Sequence, residues 1–97
     1  MTLAEALAAA AADLDGVGDG EPEWSVGGIV FAAVTAPGTA EFRLEPIVAR
    51  AALGTPDTGP SNRGADWVAF RPKELDRFAL DRATAWLGSA YRNARNK

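Results

Sequence analysis

The residues best suited to binding chemistry lie in and just after the segment 55–64, which reads Thr-Pro-Asp-Thr-Gly-Pro-Ser-Asn-Arg-Gly. Its two prolines and two glycines disfavour a regular element, so we expect an exposed loop. An amide and a guanidinium beside a tryptophan ring would suit an anionic or planar ligand. Turn chemistry alone also explains this composition, so a plain connection is the alternative. The candidate ligand-binding or nucleic-acid-binding residues are Asn62, Arg63, Trp67, Arg71, Lys73 and Arg92.

The sequence lacks several of the residue types that commonly serve in catalysis and metal binding. It contains neither Cys nor His, which excludes thiolate nucleophiles, imidazole bases, disulfides and Cys/His zinc sites. We expect the carboxylates and arginines of residues 57–82 to form solvated surface ion pairs, worth about 0–1 kcal/mol each. The acidic segment 15–23 lacks the spacing of a calcium loop. We therefore expect no enzyme activity, no cofactor and no metal site.

Charge is distributed unevenly along the chain, whose formal net charge is −3. Residues 1–50 carry two basic and eight acidic side chains, whereas residues 51–97 carry eight basic and five acidic ones. The negative total opposes binding to phosphate backbones and anionic membranes. The basic C-terminal half could form a local positive face, or it could only complement the dipole of a C-terminal helix. We expect weak nucleic-acid binding at most, no membrane partner, and a protein partner as a further option.

Length and composition are typical of one globular domain spanning residues 1–97. Hydrophobic residues make up 47% and charged residues 24% of the chain, close to the average of soluble proteins. The Ala-rich opening contains Glu5 and Asp13 and has no basic region, so it resembles neither a signal peptide nor a membrane span. The expected location is cytoplasmic.

Three helical segments are predicted. The Thr2–Glu5 capping box and the alanines after it favour a helix over roughly 3–14. A short helix should run from Pro46, at its first position, to a C-cap at Gly54. A helical turn or short helix is expected over 73–78, followed by a long helix with Asp81 as its N-cap. The apolar stripe of this last helix comprises Ala83, Trp86, Leu87, Ala90, Tyr91 and Ala94.

The remaining elements are predicted to be β-strands. Residues 24–26 and 29–34 flank Gly27-Gly28, which predicts a hairpin, and 41–44 and 65–71 have the alternation or β-branched content of strands. The expected class is α+β, with an antiparallel sheet packed against an N-terminal and a C-terminal helix. The predicted core comprises Leu7, Phe31, Val34, Phe42, Leu44, Ile47, Val68, Phe70, Leu87 and Tyr91.

The three tryptophans are candidates for base stacking, because indole offers the largest flat ring surface. Trp67 lies in a predicted strand and Trp86 on the apolar stripe, so we expect both to pack in the core. Trp24 stands beside the Gly-Gly turn and could line the rim of a cleft.

Four short stretches match the pattern of a known family. They are Trp24-Ser25-Val26-Gly27-Gly28-Ile29-Val30-Phe31-Ala32, Phe42-Arg43-Leu44-Glu45-Pro46-Ile47-Val48-Ala49, Trp67-Val68-Ala69-Phe70 and Ser89-Ala90-Tyr91. With the order of elements, they resemble the MmcQ/YjbR family over residues 2–95. The resemblance implies a frataxin-type (CyaY-like) fold and the family's label of predicted DNA binding. The family commonly has a His or Lys near its Trp-bearing strand, where this chain has Arg63-Gly64-Ala65-Asp66, and its members are usually longer.

Overall fold

The computed structural model describes residues 2–17 and 22–96 of the chain. Within them the helices are α1 (Leu3–Ala11), α2 (Pro46–Leu53) and α3 (Arg77–Arg95). The strands are β1 (Glu23–Val26), β2 (Ile29–Ala36), β3 (Thr39–Arg43), β4 (Thr58–Pro60) and β5 (Trp67–Phe70). Residues 18–21 of the acidic segment 15–23, for which no calcium loop was expected, lie outside the described residues.

The strands form one antiparallel sheet in the order β1-β2-β3-β5-β4. Helices α1 and α3 contact each other and the sheet, and α2 packs near β4 and β5. Buried residues of all three helices belong to the same core cluster, so the helices cover one face of the sheet. The predicted α+β class, with an antiparallel sheet packed against N-terminal and C-terminal helices, is confirmed, whereas the frataxin-type topology stays a prediction.

The core is built around three phenylalanines, Phe31, Phe42 and Phe70, which are fully buried. The rings of Phe42 and Phe70 both pack against Trp86 of α3 at centroid distances of 6.1 and 5.2 Å. Phe31 meets Tyr91 edge-on at 5.8 Å. These contacts join three strands to one helix. The other predicted core residues that the structure buries are Leu7, Leu44, Val68, Leu87 and Tyr91.

Three core predictions are corrected. Trp67, expected to pack in the core, is only half-buried and lies outside the core cluster. Ile47 is 76% exposed, because α2 buries only Ala49 and Ala52, and Ile47 lies about 200° around the helix from Ala49. Val34 is only partly buried, although it packs against the core. Trp24, expected as the rim of a cleft, is instead buried at 3% exposure. Its strand partner is Ala32, a core residue, so its ring is turned toward the helices.

The first helix begins as predicted and ends early. The Thr2 amide donates to Glu5 Oε1 at 2.8 Å, and the Glu5 amide donates to Thr2 Oγ1 at 3.1 Å, which confirms the capping box. The helix ends at Ala11 rather than at residue 14, and a turn follows in which Gly16 has φ +78°. Leu14 nevertheless packs against the core from this turn.

The segment 55–64 is not free of regular structure, because residues 58–60 form strand β4 on β5. Gly59 pairs with Ala69 and Pro60 with Val68. Proline is tolerated there because β4 is an edge strand, whose outer side needs no backbone donor. The strand that follows is shorter than the expected 65–71, since only Trp67–Phe70 is paired.

The last helix is one continuous element from Arg77, so both the predicted turn over 73–78 and the start at Asp81 are wrong. Asp76 is the N-cap, and its Oδ1 accepts from the Ala79 amide at 2.9 Å. Ala79 is buried on the stripe that Ala83 continues, so packing favours the earlier of two acceptable caps. The rest of the stripe is confirmed, with Trp86 half-buried and the other members buried. None of the described helices has the length and apolar character needed to cross a membrane.

Candidate functional site

The face of the sheet opposite the helices, here called the open face, carries one row of side chains across all five strands. Partners in antiparallel pairs point to the same side. Neighbouring positions Ala32, Phe42 and Val68 belong to the core, so the row beside them must face away from the helices. The row consists of Glu23, Ala33, Glu41, Ala69 and Gly59.

Arg63 lies across this row from the turn between β4 and β5. Its Nη2 is 3.0 Å from Glu23 Oε2, and its Nε donates to Glu41 Oε1 at 3.1 Å. Its guanidinium lies over the Trp67 ring, 5.2 Å from the centroid. Ser61 Oγ donates to the second oxygen of Glu41 and accepts from the Arg63 amide. Arg63 therefore links β1 and β3 through two carboxylates and makes a cation–π contact with the Trp67 ring of β5.

The electrostatics of this bridge keep Arg63 charged. Burial lowers the pKa of Arg63, but hydrogen bonds to Glu23 and Glu41, together with their charges, raise it overall. The Glu41 side chain is only 9% exposed, whereas those of Arg63 and Glu23 are 31% and 47% exposed. An anionic ligand at Arg63 would have to compete with both carboxylates. In the described residues, ion pairs join Arg63 to these glutamates rather than linking the charges of 57–82 to one another.

Four of the six candidate residues lie together. Asn62, Arg63 and Arg71 line one cavity of about 390 Å³ on the open face, and Trp67 lies under Arg63. Lys73 lies elsewhere, in a groove of about 310 Å³ beside Phe78. Arg92 lines a third depression, of about 500 Å³, with Glu45, Pro46, Asn93 and Asn96. The six residues therefore do not form a single site.

Two further arginines of the C-terminal half are held against aromatic rings. Arg82 Nη1 donates to the Pro56 carbonyl at 3.0 Å, and its guanidinium lies 5.5 Å from the Phe70 centroid. Arg95 lies 5.6 Å from the Tyr91 centroid. These contacts tie both cations to the protein surface, where they cover core rings.

An apolar groove that was not predicted lies at the opposite end of β2 from the Gly-Gly turn. The groove lies between the start of α1, the β2–β3 turn and the segment leading into α3, and its volume is about 600 Å³. Its walls come from three distant segments, so no local pattern marks it. The only hint was a proline and a leucine in the short connection after β5. Its lining is Thr2, Leu3, Ala4, Val34, Thr35, Ala36, Pro37, Gly38, Pro72 and Leu75.

The polar side chains of the described residues form no carboxylate cluster and have hydrogen-bond partners where they are buried. Among residues 2–17 and 22–96, no three Asp or Glu side chains are placed to hold a metal ion. Every buried side-chain nitrogen and oxygen there has a hydrogen-bond partner. What remains is surface chemistry: an apolar groove, and a charged and aromatic cluster on the open face.

Comparison with known proteins found no matching family model, no matching curated protein and no matching solved structure. The resemblance to the MmcQ/YjbR family therefore stays a prediction that rests on the four sequence stretches.

Proposed function

We propose that the chain is a small non-enzymatic binding module that takes an apolar ligand, or an apolar part of one, in the groove described above. The observation that carries this proposal is the groove itself, whose volume of about 600 Å³ lies within the range of about 300–1,000 Å³ usual for small-molecule sites. A sequence without Cys or His supports the non-enzymatic part. A cytoplasmic location also belongs to the proposal.

The chemistry of the groove favours an apolar ligand. Val34 and Leu75 pack against the core on one side and leave apolar surface on the other. Covering such surface is favourable by about 25 cal/mol per Å² of apolar area removed from water. The hydroxyls of Thr2 and Thr35 are the side-chain polar groups in the lining, and they could orient a ligand without requiring a charge.

An anion-binding site in the 55–64 region is the second candidate. Arg71 and Asn62 line the open-face cavity, and no ion pair in the described residues involves Arg71. Asparagine and arginine together could hold a carboxylate or phosphate there. The carboxylate of Glu41 lines the same cavity and opposes an anion, which is why this candidate ranks second.

Nucleic-acid binding, the label that the family resemblance carries, is the least supported alternative. It requires the basic residues of the C-terminal half to gather on one surface. Arg71, Lys73 and Arg92 lie in three separate depressions, and Arg82 and Arg95 are packed on aromatic rings. We expect duplex DNA to bind with a Kd above about 1 μM at physiological salt.

A dye-binding titration tests the groove directly. Anilinonaphthalene sulfonate should fluoresce on binding the parent protein, and Ala36→Trp should abolish this because the new indole fills the groove. Ala85→Trp, at an exposed position on α3 away from the lining, is the matched control and should leave binding intact.

Three results would contradict the proposal. One is dye binding that survives Ala36→Trp, and another is thermal stabilisation by nucleotides or phosphate that Arg71→Ala removes. The third is nanomolar binding of duplex DNA with a steep salt dependence, which would favour the nucleic-acid label.

A further inference from the structure

The groups around the Arg63 side chain form a receptor for a guanidinium. Two carboxylates accept from its Nη2 and Nε, and the Trp67 ring lies within cation–π distance, 5.2 Å from Cζ to the ring centroid. Charge-assisted hydrogen bonds and stacking are the contacts by which proteins bind arginine. We propose that Glu23, Glu41 and Trp67 form a binding site for an arginine of a partner peptide, which Arg63 occupies in the free protein. This site is separate from the apolar groove.

The receptor is more firmly fixed than its occupant. Its three residues stand on β1, β3 and β5, and Glu41 lies in the centre of the sheet at 7% exposure. Arg63 stands on a turn whose neighbours Asn62 and Gly64 are exposed. The Glu41 carboxylate is nearly buried, so leaving it without a cation would be costly. A partner guanidinium that replaces Arg63 at the same acceptors avoids that cost, and the strands hold the receptor in place during the exchange.

The floor of the site suits a flat group. Ala33 lies between the two glutamates in the row, and Ala69 and Gly59 continue the row beyond Glu41. Ala33 and Ala69 are fully buried, and their small side chains leave space above the sheet for a planar guanidinium between Glu23 and Glu41. A lysine ammonium would gain the charge but neither the two-directional donor geometry nor the stacking, so the site should prefer arginine.

The charge of the protein is complementary to such a partner. The chain has a net charge of −3, and the two glutamates of the site need one cation to balance part of their charge. Negative charge also raises the rate at which a basic peptide meets the surface. A partner arginine would replace Arg63 at the carboxylates and free the turn.

The first experiment empties the site with Arg63→Ala and adds ethylguanidinium chloride. At a concentration equal to its Kd, the compound should raise the Tm of this variant by about 2–3 °C. Ethylammonium chloride and sodium chloride at the same concentrations should not. In the parent the apparent Kd should be at least about tenfold higher, because tethered Arg63 competes at a high local concentration. Arg71→Ala, which keeps Arg63, should behave as the parent does.

The second experiment uses a short peptide with one arginine and its lysine counterpart, followed by tryptophan fluorescence. Arg63→Ala should bind the arginine peptide more tightly than the lysine peptide, and Arg63→Ala with Glu41→Gln should lose that preference. If Arg63→Ala does not fold, Arg63→Lys replaces it, since it keeps the charge and vacates the stacked position. Equal stabilisation by ethylammonium, equal responses of Arg63→Ala and Arg71→Ala, or binding that survives Glu41→Gln would overturn the proposal.

Discussion

Truncating Phe70 should remove a large part of the stability of the fold. The side chain is fully buried, and its ring meets Trp86 at 5.2 Å with the planes 87° apart. Phe→Ala changes in cores cost about 3–5 kcal/mol. The aromatic pair and the guanidinium of Arg82 at 5.5 Å place Phe70→Ala near the upper end of that range. Because domains are stable by about 5–15 kcal/mol in total, the variant should be barely folded.

Urea unfolding followed by far-UV circular dichroism measures the effect without depending on the Trp86 signal, which the substitution itself changes. With a slope of about 2 kcal/mol per M of urea, a loss of about 4 kcal/mol lowers the midpoint by about 2 M. Phe78→Ala is the matched control. Phe78 is 77% exposed, so its removal should change the free energy of unfolding by less than about 0.5 kcal/mol. If Phe70→Ala unfolded at the parent's midpoint, the burial of β5 against α3 would be wrong.

Three further predictions test separate parts of the fold. Asp76→Ala should cost about 1 kcal/mol of unfolding free energy in urea, and Asp81→Ala less than about 0.5, because only the former caps α3. Ile47→Ala should leave thermal stability within about 0.5 kcal/mol, because the side chain is exposed; a large loss would contradict the position of α2. Hydrogen bonds from the Thr2 amide and hydroxyl lower the pKa of Glu5 below its ordinary value of 4.5. The stabilising effect of the Glu5 carboxylate is therefore complete above that value and fades as the pH falls through the lowered pKa. The difference in Tm between the parent and Glu5→Gln should shrink over that range and disappear in stronger acid.

The elements that were predicted correctly from the sequence are defined by residues close together in the chain. Gly27 and Gly28 have φ of 57° and 81°, conformations that few other residues adopt, so the hairpin could be placed to the residue. The stripe from Ala83 to Ala94 repeats at helical spacing without interruption, and its members are buried or half-buried. In both cases the information lies within a few residues of the element that it defines.

The predictions that were wrong, the start of the last helix and the loop over 55–64, depend on contacts with residues distant in the sequence. Asp76 and Asp81 are equally acceptable N-caps by residue type, and only the burial of Ala79 against the sheet selects the earlier one. Residues 58–60 have no strand pattern of their own and become a strand because β5 offers them an open edge. Composition predicts the turn-rich character of such a segment but not whether a neighbour will pair with it.

The contacts of the candidate site also depend on residues that are far apart in the sequence. The sequence singled out Arg63 and Trp67 correctly as neighbours, since they are four residues apart and in contact. It could not show that Glu23 and Glu41, 40 and 22 residues before Arg63, would accept its donors. Those contacts depend on strand order and register, which place β1 and β3 under the same turn. Without them, Arg63 appeared as a free donor for an anion.

Substituting the two arginines of the open-face cavity, Arg63 and Arg71, therefore distinguishes an anionic ligand from an arginine ligand. Arg63 is matched by two carboxylates, whereas Arg71 lines the same cavity and takes part in no ion pair of the described residues. Removing Arg71 lowers the affinity of the cavity for an anion and leaves the receptor for a guanidinium intact. Removing Arg63 exposes two uncompensated glutamates, which repel an anion and attract a cation. An anionic ligand should therefore lose affinity in both variants, and an arginine ligand should gain it only in Arg63→Ala. The sign of the change, and not its size, decides between the two chemistries.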